Sequence, residues 1–198
     1  METILLASAS PRRFRLLTEA GFPVRKCPVS PREIILPGDP AGTVTKNARG
    51  KTEACLSSVP DADSEWIIGA DTIVSVDGKI LGKPGDRSKA ADMLRLLSGR
   101  KHQVVTGSAL YSPGGIILVR ESVSEVYFKE LSPDETEWYL NTGEWQDAAG
   151  GYKIQNRGGC LVQKIIGSYT NIVGLPIETI YGMLREMSYR FPAYDGPA

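Results

Sequence analysis

Two serines and two arginines fall within six residues near the start of the chain, in Ser8-Ala9-Ser10-Pro11-Arg12-Arg13. Ser10 suits an N-cap and Pro11 suits the first helical position, so the stretch reads as a helix start. Such a start offers unpaired backbone N–H groups and a partial positive charge, which attract phosphate. Arginine can grip phosphate oxygens through two parallel bonds. Acids rather than bases suit the first turn of a helix, so two arginines there are best offset by a bound anion. A solvated basic turn is the plain alternative for one of the two. Ser8, Ser10, Arg12 and Arg13 together point to an anion site.

Three carboxylates, Glu33, Asp71 and Asp147, lie far apart in the chain, each in a loop or at the end of an element. Asp71 follows the apolar run Trp66-Ile67-Ile68 and the small pair Gly69-Ala70, a setting that could face a cleft. On local sequence alone it reads first as a turn residue. Lys51 by itself reads as a surface lysine. Lys83 stands beside the rigid Pro84 and is carried back toward Asp71 by a hairpin. Carboxylates, lysines and an arginine-bearing helix start suit metal-assisted attack of water on phosphorus. His102 is the single histidine, so a multi-histidine metal site is excluded, and it reads as a structural residue. A metal would be held by carboxylates, phosphates and water, which selects a hard ion such as Mg²⁺ or Mn²⁺. No GxxxxGK[ST], GxSxG or HExxH pattern is present.

The elements that must position these groups follow from spacing. Residues 3–7 read as a buried strand and 11–20 as a helix stopped by Gly21; 22–29 reads as a weaker strand. Residues 30–43 read as a Pro/Gly-rich loop and 43–57 as a helix. Residues 66–76 read as a strand, a polar pair and a second strand. Asp77-Gly78 is a two-residue hairpin signal that folds 79–81 back. A helix capped by Asp86 runs to Gly99. Two long strands, 103–111 and 116–128, flank Pro113-Gly114-Gly115. Ser132-Pro133-Asp134-Glu135 forms a capping box. A strand over 160–166 and an amphipathic helix from Ile177 to Met187 complete the order. This alternation predicts an α/β fold with a mixed sheet.

The 198 residues fit a single domain, 1–198, with a loose tail from about residue 189. Charge is balanced, 23 basic against 23 acidic residues, so no basic field for nucleic acid is present. The N-terminal apolar residues precede the basic ones, the reverse of a signal peptide, and no run is long enough to span a membrane. Three scattered cysteines indicate neither a disulfide framework nor a zinc site and fit a reducing cytoplasm.

The motifs LLASASPRR (5–13), GADTIV (69–74), GKP (82–84), MLRLLSGRKHQVVTG (93–107), DAAGGYKIQ (147–155) and GSYTNIVGLP (167–176) stand in order along nearly the whole chain. In this the chain resembles the Maf-type nucleoside triphosphate pyrophosphatases. The resemblance implies a two-lobed α/β fold, like that of inosine triphosphate pyrophosphatase, with an extended mixed sheet flanked by helices and a central cleft. It implies hydrolysis of a nucleoside triphosphate to monophosphate and pyrophosphate with a divalent metal, Mg²⁺ or Mn²⁺. On that resemblance Asp71 is the catalytic base or metal-organising carboxylate and Glu33 the second acid. Ser8, Ser10, Arg13, Lys51 and Lys83 contact the triphosphate. Arg12, Thr72 and Gln155 choose the base, and this trio resembles the branch acting on dTTP and UTP. Arg32 stands where the family usually has a first acid before Glu33, and Lys153 where a glycine is often seen. Hydrolysis of 7-methyl-GTP, and a nucleotide-binding regulator of cell division with little turnover, remain as alternatives. A homodimer through a sheet edge is compatible with the pattern and not required by it.

Overall fold

The computed structural model describes residues 2–191. Seven strands form one sheet: β1 (Ile4–Ala7), β2 (Val24–Lys26), β3 (Trp66–Val76), β4 (Lys79–Leu81), β5 (Lys101–Ser112), β6 (Ile116–Phe128) and β7 (Val162–Ile166). Their order is β2-β1-β3-β5-β6-β7, with β4 paired to β3 outside that path. β1 lies parallel to β2 and β3, and the other pairs are antiparallel, so the sheet is mixed as expected. The helices are α1 (Pro11–Glu19), α2 (Pro40–Ser58), α3 (Arg87–Leu97), α4 (Pro133–Asn141), α5 (Tyr169–Val173) and α6 (Ile177–Glu186). Among the described residues no helix is long and apolar enough to cross a membrane.

The stretch expected as two strands around a polar pair is one strand of eleven residues. Its ladder to β5 runs without a break from Ile67↔Tyr111 to Ser75↔Gln103, and Asp71 lies in the middle, opposite Gly107. Nothing in Gly69-Ala70-Asp71 forces a turn, and β5 pairs with this stretch without interruption along one edge. Asp71 is therefore neither a turn residue nor at a strand end. On its other edge, β3 pairs first with β1, from Trp66 to Gly69, and later with β4, from Val74 to Val76. Ala70 to Ile73 have no strand partner there. The sheet splits at this gap, and splits of this kind open crevices for ligands.

Helix α2 starts at Pro40 rather than 43, because the Asp39 side chain caps it by accepting from Gly42 N at 2.8 Å. The Asp77-Gly78 turn has φ of 47° and 76°, as a type I′ hairpin requires. The Ser132/Glu135 capping box forms. The short α5 has no counterpart in the sequence reading, since five residues are too few to display a helical period. The strand expected from 160 begins at Val162, after a 3₁₀ turn over Arg157–Leu161.

The core has two main parts. One gathers Val74, Leu94, Leu97, Phe128 and Tyr139 around the far ends of the long strands. The other gathers Leu6, Leu17, Ile68, Ile180 and Leu184 between β1, α1 and α6. β3 passes through both, with Asp71 and Thr72 at the crossing. Tyr189 belongs to the second part: it is 4% exposed, stacks edge-on against Trp66 and donates its hydroxyl to Glu2 O at 2.8 Å. The tail expected to be loose from about 189 is thus anchored at its start, and residues 192–198 lie outside the described residues.

Candidate active site

Alternation along β3 sends Asp71 to one face of the sheet and Thr72 to the other. α2 packs on the Asp71 face. It approaches closely because β3 and β5 carry glycine beneath it. A Cβ at Gly107 would collide with the Val44 carbonyl, and one at Gly69 with Thr52 and the Ala48 carbonyl. The approach brings Asn47 and Lys51, one turn apart on α2, onto Asp71. Lys51 Nζ donates to Asp71 Oδ1 at 2.7 Å, and Asn47 Nδ2 donates to Asp71 Oδ2 at 3.0 Å. Lys51, read from sequence as a surface lysine, is 8% exposed.

The same lysine reaches Glu33 Oε1 at 2.7 Å, so the two acids expected to act together meet across one ammonium. The loop bearing Glu33 is strapped to α2. Asn47 brackets Ile34, accepting from its N–H at 2.9 Å and donating to its carbonyl at 3.0 Å. Thr43 accepts from Leu36 N at 2.9 Å. Sequence reasoning missed Asn47 and Thr43. The available signal was the spacing Thr43-Asn47-Lys51, a polar stripe at helical period on a face that is buried.

On the opposite face, the start of α1 meets Thr72. Ser10 caps the helix, accepting from Arg13 N at 3.5 Å. Ser8 Oγ accepts from Ser10 N at 3.2 Å and from Arg13 Nη1 at 3.1 Å. Arg13 also donates from Nε to Gly174 O at 2.8 Å and from Nη2 to Thr72 Oγ1 at 3.0 Å. Arg12 donates to the Asp147 carbonyl at 3.3 Å. Burial lowers the pKa of both guanidiniums; Asp71 pulls Arg13 back up and Asp147 does so for Arg12.

The segment from Asp147 to Gln155 closes the cleft. Gly150 N donates to Gly82 O at 3.1 Å, which ties this segment to the turn bearing Lys83. Tyr152 shares a 2.8 Å hydrogen bond with His102 Nε2. His102 is 1% exposed, and burial pushes its pKa down to about 4, so it is neutral at physiological pH. The cleft has a volume of about 900 Å³ and takes in all ten residues to which the family resemblance gives a role, Lys83 and Gln155 included. That volume suits a nucleotide-sized ligand. Among its charged residues are five cations (Arg12, Arg13, Lys51, Lys83, Lys153) and three acids (Glu33, Asp71, Asp147). In a chain of zero net charge this is a local excess of positive charge, suited to a polyanion.

Residues 3–187 match the family described as Maf-like protein. The chain belongs to that family. A dTTP/UTP pyrophosphatase of Symbiobacterium thermophilum is 43% identical over 199 residues, covering 100% of both chains. One of Pyrococcus furiosus is 44% identical over 186 residues, covering 93% of this chain and 95% of its own. A solved HAM1 protein from Coxiella burnetii is similar in fold, with a TM-score of 0.53 at 14% identity, covering 94% of this chain and 100% of its own.

Among the described residues no group of three or more His, Cys, Asp or Glu converges, so a metal in this Maf-like site would rest on fewer protein ligands than that. Mg²⁺ is commonly bound by one or two carboxylates, with substrate phosphates and water filling the rest. Glu33 and Asp71, oxygen donors already drawn to one point by Lys51, fit that pattern. Lys153 was missed as a pocket residue. Its pKa is lowered by burial and then by Arg12, so two cations crowd this end of the cleft.

Proposed function

We propose that this Maf-like protein hydrolyses dTTP and UTP to the monophosphate and pyrophosphate. The observation that carries the reading is the position of Asp71. It sits at the split of the sheet, between Lys51 and Asn47, in a cleft shared with the arginine-bearing start of α1. The relatives named dTTP/UTP pyrophosphatases support the reaction and the nucleotide class.

In this reading Ser8, Ser10, Arg13 and Lys83 hold the triphosphate, and the backbone N–H groups at the α1 start add to the grip. Lys51 and Asn47 keep the Asp71 carboxylate in one orientation. Each carboxylate oxygen has two lone-pair sites, so Asp71 can still accept from a water molecule. Water attacks the α-phosphorus: a new P–O bond forms, the bond to the β-phosphate bridge breaks, and Asp71 takes the water proton. Pyrophosphate leaves. A divalent cation, Mg²⁺ or Mn²⁺, held by Glu33 and Asp71 would neutralise phosphate charge. Arg12, Thr72 and Gln155 line the cleft; Arg12 and Gln155 offer donors and an acceptor that match the carbonyl and N–H edge of thymine or uracil, while the Thr72 hydroxyl is held by Arg13, Thr106 and Gly174 O. The free thiols of Cys27, Cys55 and Cys160 suit a reducing cytoplasm.

A nucleotide panel with Mg²⁺ or Mn²⁺ tests the proposal. Pyrophosphate and monophosphate should appear fastest from dTTP and UTP. No release above an Asp71→Ala control for any nucleotide overturns the enzyme reading, and preference for 7-methyl-GTP overturns the choice of base.

A further inference from the structure

The Arg13 guanidinium has three protein partners, and two of them depend on the turn after α5. Gly174 O accepts directly from Arg13 Nε, and Thr72 is itself linked to that turn. Thr72 Oγ1 lies 3.0 Å from Thr106 Oγ1, its cross-strand partner on β5, and Thr106 Oγ1 lies 3.3 Å from Asn171 O. Two hydroxyl protons serve three links, namely Thr72 to Gly174 O, Thr72 to Thr106 and Thr106 to Asn171 O. The shortest, Thr72 to Thr106, must carry one, because otherwise two sets of lone pairs face each other at 3.0 Å.

Thr106 is fully buried, so it does not touch a ligand itself. The chain of bonds ends on α5, at Asn171, and on the turn after it, at Gly174, and both are held in place. Asn171 is also fully buried and donates to Val104 O at 3.1 Å and Ser124 Oγ at 2.9 Å. Gly174 has φ of 127°, a conformation that other residues rarely adopt. Of the five N–H donors of Arg13, three are spent on Ser8, Gly174 and Thr72. One remains on each terminal nitrogen, a pair suited to bidentate phosphate binding.

We propose that Thr106 is a positioning residue for the substrate: through Thr72 it holds the Arg13 guanidinium in the orientation that grips phosphate. The proposal rests on the reading of the cleft as a nucleoside triphosphate site. Losing the Thr106 hydroxyl frees Thr72 to turn and removes one anchor of Arg13, while the Asp71 face is untouched. The loss falls on phosphate binding, which is shared by ground and transition states, so it raises KM and leaves kcat alone.

The experiment is pyrophosphate release from dTTP by the full chain and its variants. Thr106→Val should raise KM roughly three- to tenfold, the worth of one hydrogen bond, with kcat within about twofold of the parent. Thr106→Ser should restore KM. In an Arg13→Ala background, Thr106→Val should add nothing. An unchanged KM, an equal rise in the Arg13→Ala background, or a fall in kcat alone overturns the proposal. If the valine variant does not fold, Thr106→Ala makes the same comparison. Binding of inorganic tripolyphosphate by calorimetry reads the same link without turnover. If the parent protein releases no pyrophosphate from any nucleotide, the functional reading fails. The positioning role is then decided by whether Thr106→Val weakens tripolyphosphate binding.

Discussion

At the scale of single residues, Asp71 and its neighbour Thr72 serve different faces of one strand, and each has its own set of partners. Asp71→Asn keeps the shape and the contact to Lys51 but removes the base. We expect kcat for dTTP to fall about 10²- to 10⁴-fold, the usual worth of a positioned acid or base, with little change in nucleotide binding measured by calorimetry. Retention of most turnover would remove Asp71 from that role. Lys83 is a cation in the cleft with no acidic partner among the described ion pairs. Lys83→Ala should raise KM for dTTP several-fold, with kcat less affected. A variant with parental KM and kcat would make Lys83 a solvated surface residue.

At the scale of elements, α2 is the part that converts a mid-strand aspartate into a site. It supplies Lys51 and Asn47, and it straps the loop that carries Glu33. All of this depends on the bare backbone beneath it at Gly69 and Gly107. Gly107→Ala places a methyl group against the Val44 carbonyl and should push α2 off the sheet. Overpacking of this kind costs about 1–3 kcal/mol, to be read as a lower midpoint in urea with the slope unchanged. Activity should fall more steeply than stability, because Lys51 and Asn47 move with the helix. A variant with full stability would show that α2 can yield without loss.

At the scale of the whole molecule, an aromatic cluster of His102, Phe128 and Tyr152 stands in the part of the core that α3 and α4 cover. His102 is held neutral there, with its pKa pushed from 6.5 to about 4 by burial. The unfolded chain takes up this proton near pH 6.5 and the folded chain only near pH 4. Between those values the unfolded state binds more protons, so stability falls as the pH drops. Below both values no further loss comes from this group. His102→Gln should flatten the slope of unfolding free energy against pH over that window, measured by urea titration at several pH values. A slope equal to that of the parent would assign the acid sensitivity to carboxylates instead.

Period and capping carried much of this fold. The β1–α1 start, the type I′ turn at Asp77-Gly78 and the capping box at Ser132 are local, since their signals lie within a few residues of each other. The candidate site residues were also legible, but only as a set of ordered motifs, because each alone has an ordinary local reading. Residues 66–76 misled for the same reason: whether Gly69-Ala70-Asp71 turns or continues depends on a partner strand 36 residues from Asp71, at Gly107. Asn47, Thr106 and Lys153 were invisible in their functional settings. Their meaning comes from the hydrogen bonds of Asn47 to Asp71 and of Thr106 to Thr72, and from the charge of Arg12 beside Lys153, each acting across a large gap in sequence. The chain by itself determined which chemical groups are present and which elements carry them. Only the tertiary structure decided that α2 comes close enough to set Lys51 between Asp71 and Glu33, because that distance is set by two glycines on different strands.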